Sequence, residues 1–239
     1  MSVVISVSSN FFIILQTLNK ISMQKYEISY IKEQFPFVTN RQLEQFAALP
    51  SLYRDWNSKI NVISRKDIDN IFVHHILHSL SIAKIIMFKP DTSVLDVGTG
   101  GGFPGIPLSV LMPEVKFHLI DRIAKKIKVV NAVKEALNLE NVVADQVPCE
   151  EDKQKYDFIV SRAVTNLPDF MKMTKNKLLN RSNNELKNGI LYLKGENVAE
   201  ELENFKGKYT IYNVGQFFAD EFFETKRIVY LPFNSCSVK

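Results

Sequence analysis

The chain has few cysteines and no long apolar run, and both absences limit what it can be. Only two of its 239 residues are cysteine, Cys149 and Cys236. Two cysteines are too few for a disulfide framework and are consistent with a reducing compartment. No segment after the amino terminus is apolar over enough residues to span a bilayer. We therefore expect a protein of the cytoplasm without membrane attachment.

The chain also has only a small excess of positive over negative charge. Thirty Lys and Arg residues stand against 26 Asp and Glu, a net charge of +4. This balance permits a polyanionic partner without requiring one. Hydrophobic residues make up 46% and charged residues 23% of the chain, which predicts a folded state. The length suits one large domain, or one domain with a small appendage.

The first 22 residues fit neither a folded core nor a signal peptide. Residues 2–18 are apolar and serine-rich, but no basic segment precedes them and no clear small-residue cleavage site follows. We interpret residues 1–22 as a non-conforming amino-terminal extension and Met23 as the effective start.

Two amphipathic runs predict that the first third of the chain is helical. Behind a candidate N-cap at Thr39, apolar residues recur at helical spacing as far as Ile60. A second run of this kind extends from Asp67 to Met87. We expect residues 23–89 to form a helical cap ahead of a second domain at residues 90–239.

After Pro90 the pattern changes to short β-branched runs separated by helical ones, which is typical of a parallel sheet with crossover helices. The last two strands lack a crossover helix between them, which predicts an antiparallel pair. We thus expect an α/β, Rossmann-like fold with a mostly parallel sheet ending in an antiparallel hairpin. The predicted strands are Ser93–Val97, Lys116–Ile120, Val142–Asp145, Phe158–Ser161, Gly189–Leu193, Tyr209–Val214 and Lys226–Leu231, and the predicted helices are Gly105–Leu111, Arg122–Leu137 and Pro168–Leu179.

Glycine is sparse, but five of the nine glycines lie between Gly98 and Gly105. They follow directly on a buried strand in the sequence DVGTGGGFPG, where positions such as Gly100 must lack side chains if the backbone is to close on a nucleotide-like ligand. The run also satisfies the dinucleotide fingerprint G-x-G-x-x-G, with Asp121 further on to hold a ribose. We therefore predict an adenosine-containing cofactor, with a nicotinamide dinucleotide as one alternative.

The acid before the turn favours a methyl donor. A dinucleotide turn presents helix amides to a pyrophosphate, whereas Asp96 stands where an acid can meet the cationic amino acid end of S-adenosylmethionine. The sequence DVGTGGG resembles motif I of the class I methyltransferases, which implies that cofactor. Asp121 ends the second strand and is predicted to accept hydrogen bonds from the ribose hydroxyls, although capping the following helix is also plausible.

The acceptor atom is inferred by elimination. The fourth strand is not followed by the Asn/Asp-Pro-Pro-aromatic motif of enzymes that methylate exocyclic amines. Pro148-Cys149 could supply the thiolate that pyrimidine C5 methylation needs, but it precedes that strand and is expected beside the adenine. An acceptor with a free lone pair remains, and guanine N7 is such an atom.

Two further groups of side chains invite a binding role. His74 and His78 are one helical turn apart, but no Cys-x-x-Cys or carboxylate cluster completes a tetrahedral set, so we expect no metal. Arg122 and Lys194, each at the carboxyl end of a strand, are predicted to contact RNA phosphates, although solvated surface positions are the simpler role for any one of them. Other basic residues crowd two helices: Lys125, Lys126, Lys128, Lys172, Lys175, Lys177 and Arg181.

Four blocks of the chain resemble the RsmG family, also called glucose-inhibited division protein B, the bacterial 16S rRNA guanine-N7 methyltransferases. They are Trp56-Asn57 through Ser64, His75 through Leu80, Val94 through Pro107, and Ser161-Arg162-Ala163 with Leu193-Lys194-Gly195.

The resemblance implies a role for several residues. It implies that Gly98 and Phe103 line the methionine side of the cofactor, that Cys149 and Glu150 lie at the adenine, and that Arg162 belongs to the cofactor site. The family often has Arg where Pro148 stands, so a role for that side chain does not carry over.

The resemblance further implies methyl transfer from S-adenosylmethionine to guanine N7 in 16S rRNA or the small ribosomal subunit. Catalysis would rest on positioning, with no catalytic side chain assigned, and the base would be exposed or flipped. A methyltransferase for a small molecule or protein, an NAD-dependent dehydrogenase and a non-catalytic RNA-binding relative are the alternatives. A monomer is expected.

Overall fold

A computed structural model describes residues 24–195, 198–203, 205 and 208–233. The predicted extension at residues 1–22, together with Met23 and Cys236, lies outside the described residues. The chain divides into two compact units after Pro50. The predicted division into a cap at residues 23–89 and a domain at residues 90–239 stays a prediction.

In the first unit, residues 24–34 form α1, and α2 (Asn40–Lys59) begins. The start of α2 is capped reciprocally, since Thr39 Oγ1 accepts from the amide of Gln42 and Gln42 Oε1 accepts from the amide of Thr39. The predicted N-cap at Thr39 is therefore confirmed.

The segment predicted to be helical from Asp67 to Met87 changes its hydrogen-bonding period along its length. It consists of a 3-10 turn (Ile68–Asn70), a π-helix (Phe72–Leu77), a short α-helix, α3 (His78–Leu80), and a second 3-10 turn (Ser81–Lys84). The predicted helical character is confirmed, but the segment is not one continuous α-helix. A π turn holds more residues than an α turn and so changes which side chains share a face.

Seven strands of the described residues form one sheet. The strands are β1 (Ser93–Val97), β2 (Lys116–Asp121), β3 (Val142–Gln146), β4 (Phe158–Arg162), β5 (Gly189–Lys194), β6 (Thr210–Asn213) and β7 (Arg227–Pro232). Their order in the sheet is β3-β2-β1-β4-β5-β7-β6. Strands β1 to β5 are parallel, and β7 runs antiparallel to both of its neighbours. The predicted fold class is confirmed.

The connections carry the remaining helices of the described chain. These are α4 (Gly105–Leu111), α5 (Ala124–Ala136), α6 (Leu167–Met173), α7 (Val198–Leu202) and two 3-10 turns, Val214–Gln216 and Glu221–Phe223. Helix α6 ends six residues before the predicted Leu179. Three features mark this end: the Thr174 hydroxyl donates to the carbonyl of Phe170, Asn176 has a non-helical φ of +66°, and Leu178 pairs with Tyr156. Among all the residues that the structure describes, no helix is long and apolar enough to cross a membrane.

The strand order indicates the edge of the sheet at which a ligand would bind. From β1 the chain moves to β2 on one side, and from β4 it moves to β5 on the other, so the order reverses between β1 and β4. In open α/β sheets ligands bind in the crevice outside the carboxyl ends of the strands at such a reversal. The buried β1 residues Leu95 and Val97 and the β4 residue Ile159 anchor this part of the sheet in the core.

Candidate cofactor site

A cleft of about 290 Å³ lies at the carboxyl ends of β1, β2 and β4. Four of the residues predicted from the sequence line it: Gly98, Asp121, Arg122 and Cys149. Apolar side chains supply much of the rest of its wall, including Ile120, Val147, Val164 and Met173. Two basic side chains, those of Arg122 and Lys126, also line it, and each lies beside an acid, Glu150 at 2.7 Å and Asp121 at 3.7 Å.

The backbone after β1 turns through two glycines that play different parts. Gly98 has a φ of +64°, and a Cβ there would lie 2.5 Å from Val164 Cγ2. Gly100 has a φ of +60°, but a Cβ there would meet nothing within 4 Å. Packing thus excludes a side chain at Gly98, while Gly100 faces open space in which a ligand can approach the backbone.

Asp121 ties the turn to the neighbouring strand. Its Oδ2 accepts from the amide of Gly100 at 3.0 Å, and its Oδ1 accepts from the amide of Ile123 at 2.9 Å. The second bond supports the start of α5, close to the capping role considered for this residue. A carboxylate has about four acceptor positions, so two bonds leave room for ribose hydroxyls, and that role stays a prediction.

Asp96 is fully buried and does not line the cleft. Its Oδ2 accepts from Thr99 Oγ1 at 2.7 Å and from the amide of Gly105 at 2.8 Å. Its Oδ1 has no hydrogen-bond partner among the described residues. Burial raises the pKa of this carboxyl to about 7. Through these two bonds the Asp96 side chain holds the turn closed. The contact with the charged end of a cofactor, which the sequence suggested, stays a prediction.

Phe103 and Arg162 are packed against each other outside the cleft lining. The Phe103 ring lies 4.6 Å from the Tyr53 ring and 5.1 Å from the His75 ring, and the Arg162 guanidinium carbon is 5.3 Å from it. Arg162 donates to the carbonyl of His74 at 3.0 Å and to His75 Nδ1 at 2.7 Å. Burial lowers the pKa of Arg162 to about 10, so it stays a cation. Direct cofactor contact by either residue stays a prediction.

The carboxylate of Asp67 is linked to the buried Arg162 cation by His75, which contacts both. His75 Nε2 lies 2.6 Å from Asp67 Oδ2, and His74 Nδ1 contacts Asp67 Oδ1. Because His75 Nδ1 accepts from Arg162, its proton is on Nε2 and is donated to Asp67. Burial and the charge of Arg162 lower the pKa of His75 to about 4, so the ring is neutral at pH 7.

Tyr53 and Asp67 are the site residues that sequence reasoning missed. Tyr53 has no exposed surface, and its hydroxyl donates to the carbonyl of Gly101 at 2.7 Å. In the sequence, Tyr53 is one apolar position of an amphipathic helix and Asp67 one candidate helix start. A helical pattern gives no signal for contacts made 48 residues further along the chain.

Cys149 lines the cleft, whereas the next residue, Glu150, does not. Cys149 is buried, its thiol lies 3.5 Å from the carbonyl of Met173, and burial raises its pKa to about 11. Glu150 instead points outward, where both carboxylate oxygens accept from Arg122 at 2.7 and 2.9 Å. Contact of these two residues with adenine stays a prediction.

Lys194 is engaged within the protein. Its ammonium lies 2.9 Å from the carbonyl of Thr165 and 2.8 and 3.0 Å from the two carboxylate oxygens of Glu201. The side chain is only 11% exposed. An RNA phosphate would have to displace Glu201 from this largely buried pair, so this prediction gains no support from the geometry. Arg122 is also bound to a carboxylate, that of Glu150, but this pair is exposed, at 63% for Arg122 and 51% for Glu150.

The histidines considered as metal ligands have other partners. His74 stacks on Phe222 with ring centroids 3.8 Å apart, and the His78 ring lies edge-on to Phe222 and Phe223. Within the described ranges, no three His, Cys, Asp or Glu side chains are grouped as a metal site would require.

Comparison with known proteins places this architecture in a family. The family model described as GidB, rRNA small subunit methyltransferase G, matches residues 40–230. Ribosomal RNA small subunit methyltransferase G of Flavobacterium psychrophilum is 60% identical over 202 residues, which cover 84% of this chain and 96% of the relative. The protein of that name from Parabacteroides distasonis is 50% identical over 217 residues, 91% of this chain and 94% of the relative.

Among solved structures, an S-adenosylmethionine-dependent methyltransferase from Aquifex aeolicus is 18% identical, with a TM-score of 0.49 over 64% of this chain and 88% of that one. That similarity is too low to bear on the substrate. The family match and the two relatives, by contrast, each extend over most of the sheet and the whole cleft. The chain therefore belongs to the rRNA small subunit methyltransferase G family.

Proposed function

We propose that this protein transfers a methyl group from S-adenosylmethionine to N7 of a guanine in 16S rRNA. Its membership in the family establishes the coarser reaction, methyl transfer to rRNA of the small subunit with S-adenosylmethionine as cofactor. This family membership excludes the NAD-dependent dehydrogenase that the sequence left as an alternative. The guanine and its N7 atom are the proposal.

The residues of the cleft suit this cofactor. Gly100 leaves open space above the backbone, and the Asp121 carboxylate keeps acceptor capacity for two vicinal hydroxyls. Ile120, Val147 and Val164 supply apolar walls of the kind that an adenine ring needs. When bound, the cofactor supplies a sulfonium methyl group.

The observation that carries the choice of N7 is the lack of an activated base or nucleophile among the residues that line the cleft. The Cys149 thiol is buried with a pKa near 11, so it is a poor thiolate for attack on a pyrimidine. Asp121 is committed to two backbone amides. Guanine N7 bears no proton, so its methylation needs no group to remove one.

Catalysis on this proposal depends on orientation. Tyr53, His75 and Arg162 pack around Phe103 and fix the turn that holds the cofactor. Alignment of the guanine N7 with the methyl group then supplies the rate gain that proximity gives. Arg122 lines the cleft and is 63% exposed, so it can meet the negative backbone beside the flipped base by exchanging its exposed partner Glu150 for a phosphate.

The proposal includes the setting of the reaction. The partner is 16S rRNA, free or within the small ribosomal subunit, and the enzyme acts as a monomer in the cytoplasm. The small number of cysteines is consistent with a reducing compartment.

The test is methylation with labelled S-adenosylmethionine of naked 16S rRNA, small ribosomal subunits and tRNA, followed by mapping of the modified base. We expect label in 16S rRNA, bound at N7 of one guanine. At saturating RNA, the single-turnover rate should be flat from about pH 7.5 to about pH 9.5, because no base titrates. Cys149→Ala should keep this rate.

Other outcomes would overturn the proposal in distinguishable ways. Label in a protein or small molecule would favour another class I methyltransferase, and RNA binding without label would favour a non-catalytic relative. A rate that rises tenfold per pH unit and is abolished in Cys149→Ala would favour thiolate chemistry at a pyrimidine.

A further inference from the structure

A second cavity, of about 360 Å³, adjoins the cofactor cleft. Met173 lines both, and the consecutive residues Cys149 and Glu150 are divided between them, the first in the cleft and the second in the cavity. The wall of the second cavity is dominated by one residue type. We call it the lysine cavity, after Lys153, Lys155, Lys172, Lys175 and Lys177.

The acids in its wall are already neutralised. Glu150 is bound by Arg122 through both carboxylate oxygens. Asp152 is buried together with Lys177, whose ammonium contacts both the Asp152 carbonyl and Oδ2, the latter at 3.4 Å. Both carboxylates are therefore unavailable to the other lysines of the cavity.

Three ammonium groups consequently remain for an external anion. Lys153, Lys155 and Lys175 are exposed, and their side chains make no hydrogen bond or ion pair to another described residue. Lys172 has one exposed contact, 3.3 Å to Asp169, of a kind that contributes little. The cavity thus presents concentrated positive charge that the described protein does not compensate.

The two sources of these lysines argue against a solvated helix face. Lys172 and Lys175 lie at the carboxyl end of α6, where cations complement the helix dipole in any protein. Lys153 and Lys155 come from the connection between β3 and β4 and gain nothing from that dipole. Convergence of two segments on one cavity favours a common ligand.

We propose that the lysine cavity binds the phosphate backbone of the substrate rRNA beside the cofactor cleft. The inference rests on the proposed function, since a polynucleotide whose base enters the cleft must carry its phosphates over the adjoining surface. Lysine contacts of this kind position the RNA without reading its sequence. Each also releases counterions, so their contribution weakens as salt rises.

The experiment compares two double variants of the full chain. Lys155→Gln/Lys175→Gln removes two uncompensated charges of the lysine cavity. Lys89→Gln/Lys187→Gln removes the same charge from two exposed lysines that precede β1 and β5, at the amino edge of the sheet. The probe is in vitro transcribed 16S rRNA, whose affinity is measured by filter binding over a series of salt concentrations. Calorimetry with S-adenosylmethionine monitors the cleft.

For the lysine cavity variant we expect RNA affinity to fall about tenfold at low salt, and the slope of log affinity against log salt to become shallower by about 1 to 2. Affinity for S-adenosylmethionine should not change in either variant. The amino-edge control should bind RNA as the native protein does. Equal RNA affinities and slopes for the two double variants would overturn the proposal.

The comparison separates this inference from the proposed function. Native protein that methylates 16S rRNA, with both double variants binding alike, would refute the lysine cavity alone. A difference in RNA binding between the variants, with no methylation by any of them, would support the cavity and refute the reaction. Failure of the native protein to bind 16S rRNA, and to methylate it either free or within the small ribosomal subunit, would refute both.

Discussion

The turn from Gly98 to Gly105 and the rim formed by Arg122, Glu150 and the lysine cavity border the same cleft but are built differently. Polar groups of the turn are buried and bound to neighbouring elements, as the Thr99 hydroxyl is to Asp96 of β1. Polar groups of the rim are exposed, as in the Arg122–Glu150 pair. The turn thus determines whether the cofactor site forms, and the rim determines what charge an arriving substrate meets.

Substitution within the turn should produce the largest effect. A Cβ added at Gly105 would lie 2.7 Å from Leu119 Cγ and 2.8 Å from Asp96 Oδ2, against a close-packed strand. We expect Gly105→Ala to lower the free energy of unfolding by roughly 1–3 kcal/mol, the usual cost of overpacking. Denaturant titration of both proteins measures this difference.

Gly100→Ala is the matched control within the same turn. Its added methyl group meets nothing within 4 Å, so only its positive φ costs stability, by about 1 kcal/mol. We expect this variant to fold but to bind S-adenosylmethionine more weakly. If Gly105→Ala were as stable as Gly100→Ala, the turn would be less tightly packed than the structure indicates.

A middle-sized effect concerns the pH dependence contributed by Asp96. Its pKa of about 7 in the folded state exceeds its ordinary value, so the folded state binds more protons and stability falls as pH rises from about 4 to about 7. Burial is the main cause, opposed by the bonds from Thr99 and Gly105 and the charge of Arg162, while Asp121 adds to it. We expect Asp96→Asn to remove this pH-dependent loss of stability.

Unfolding by urea at several pH values measures the Asp96 contribution. His75, with its pKa lowered to about 4, gives the opposite slope below its ordinary pKa. That slope is present in both proteins and cancels in their difference. Parallel stability profiles for the native and Asp96→Asn proteins would show that Asp96 is ionised throughout.

The smallest effect is expected at the rim. Arg122 and Glu150 are about half exposed or more, and exposed ion pairs contribute little. A double-mutant cycle with Arg122→Gln and Glu150→Gln should give a coupling free energy of at most about 1 kcal/mol, decreasing with added salt. A coupling several times larger that persists in high salt would place the pair in a less hydrated environment than the structure does.

The same contrast explains how much the sequence could predict. Strand β1 and helix α4 begin and end where the sequence predicts, because a β-branched run and the Gly-rich turn mark their limits. The parallel order and the antiparallel end follow from whether a crossover helix separates the strands. Such local signals fixed most of the sheet.

What the sequence could not predict depends on contacts between distant residues. The sequence predicts that Lys194 contacts an RNA phosphate, but Glu201 binds it across the β5–α7 connection. Helix α6 ends at Met173 without a glycine or proline to mark the position. The π-helix that brings His74 and His75 to one carboxylate has the same apolar composition as an α-helix. In each case contacts with distant residues determine the conformation, because the local sequence pattern fits more than one conformation equally well.

The hydrogen bonding of the turn has an entropic consequence. Its amides at Thr99, Gly100, Gly102 and Phe103 donate to the carbonyl of Ile120, to Asp121 and twice to the carbonyl of Thr99. A loop whose amides are paired in this way has lost its conformational freedom during folding. Association with a small molecule then orders little additional chain, so the affinity is not reduced by that cost. These amides should exchange with deuterium as slowly in the ligand-free protein as strand amides do.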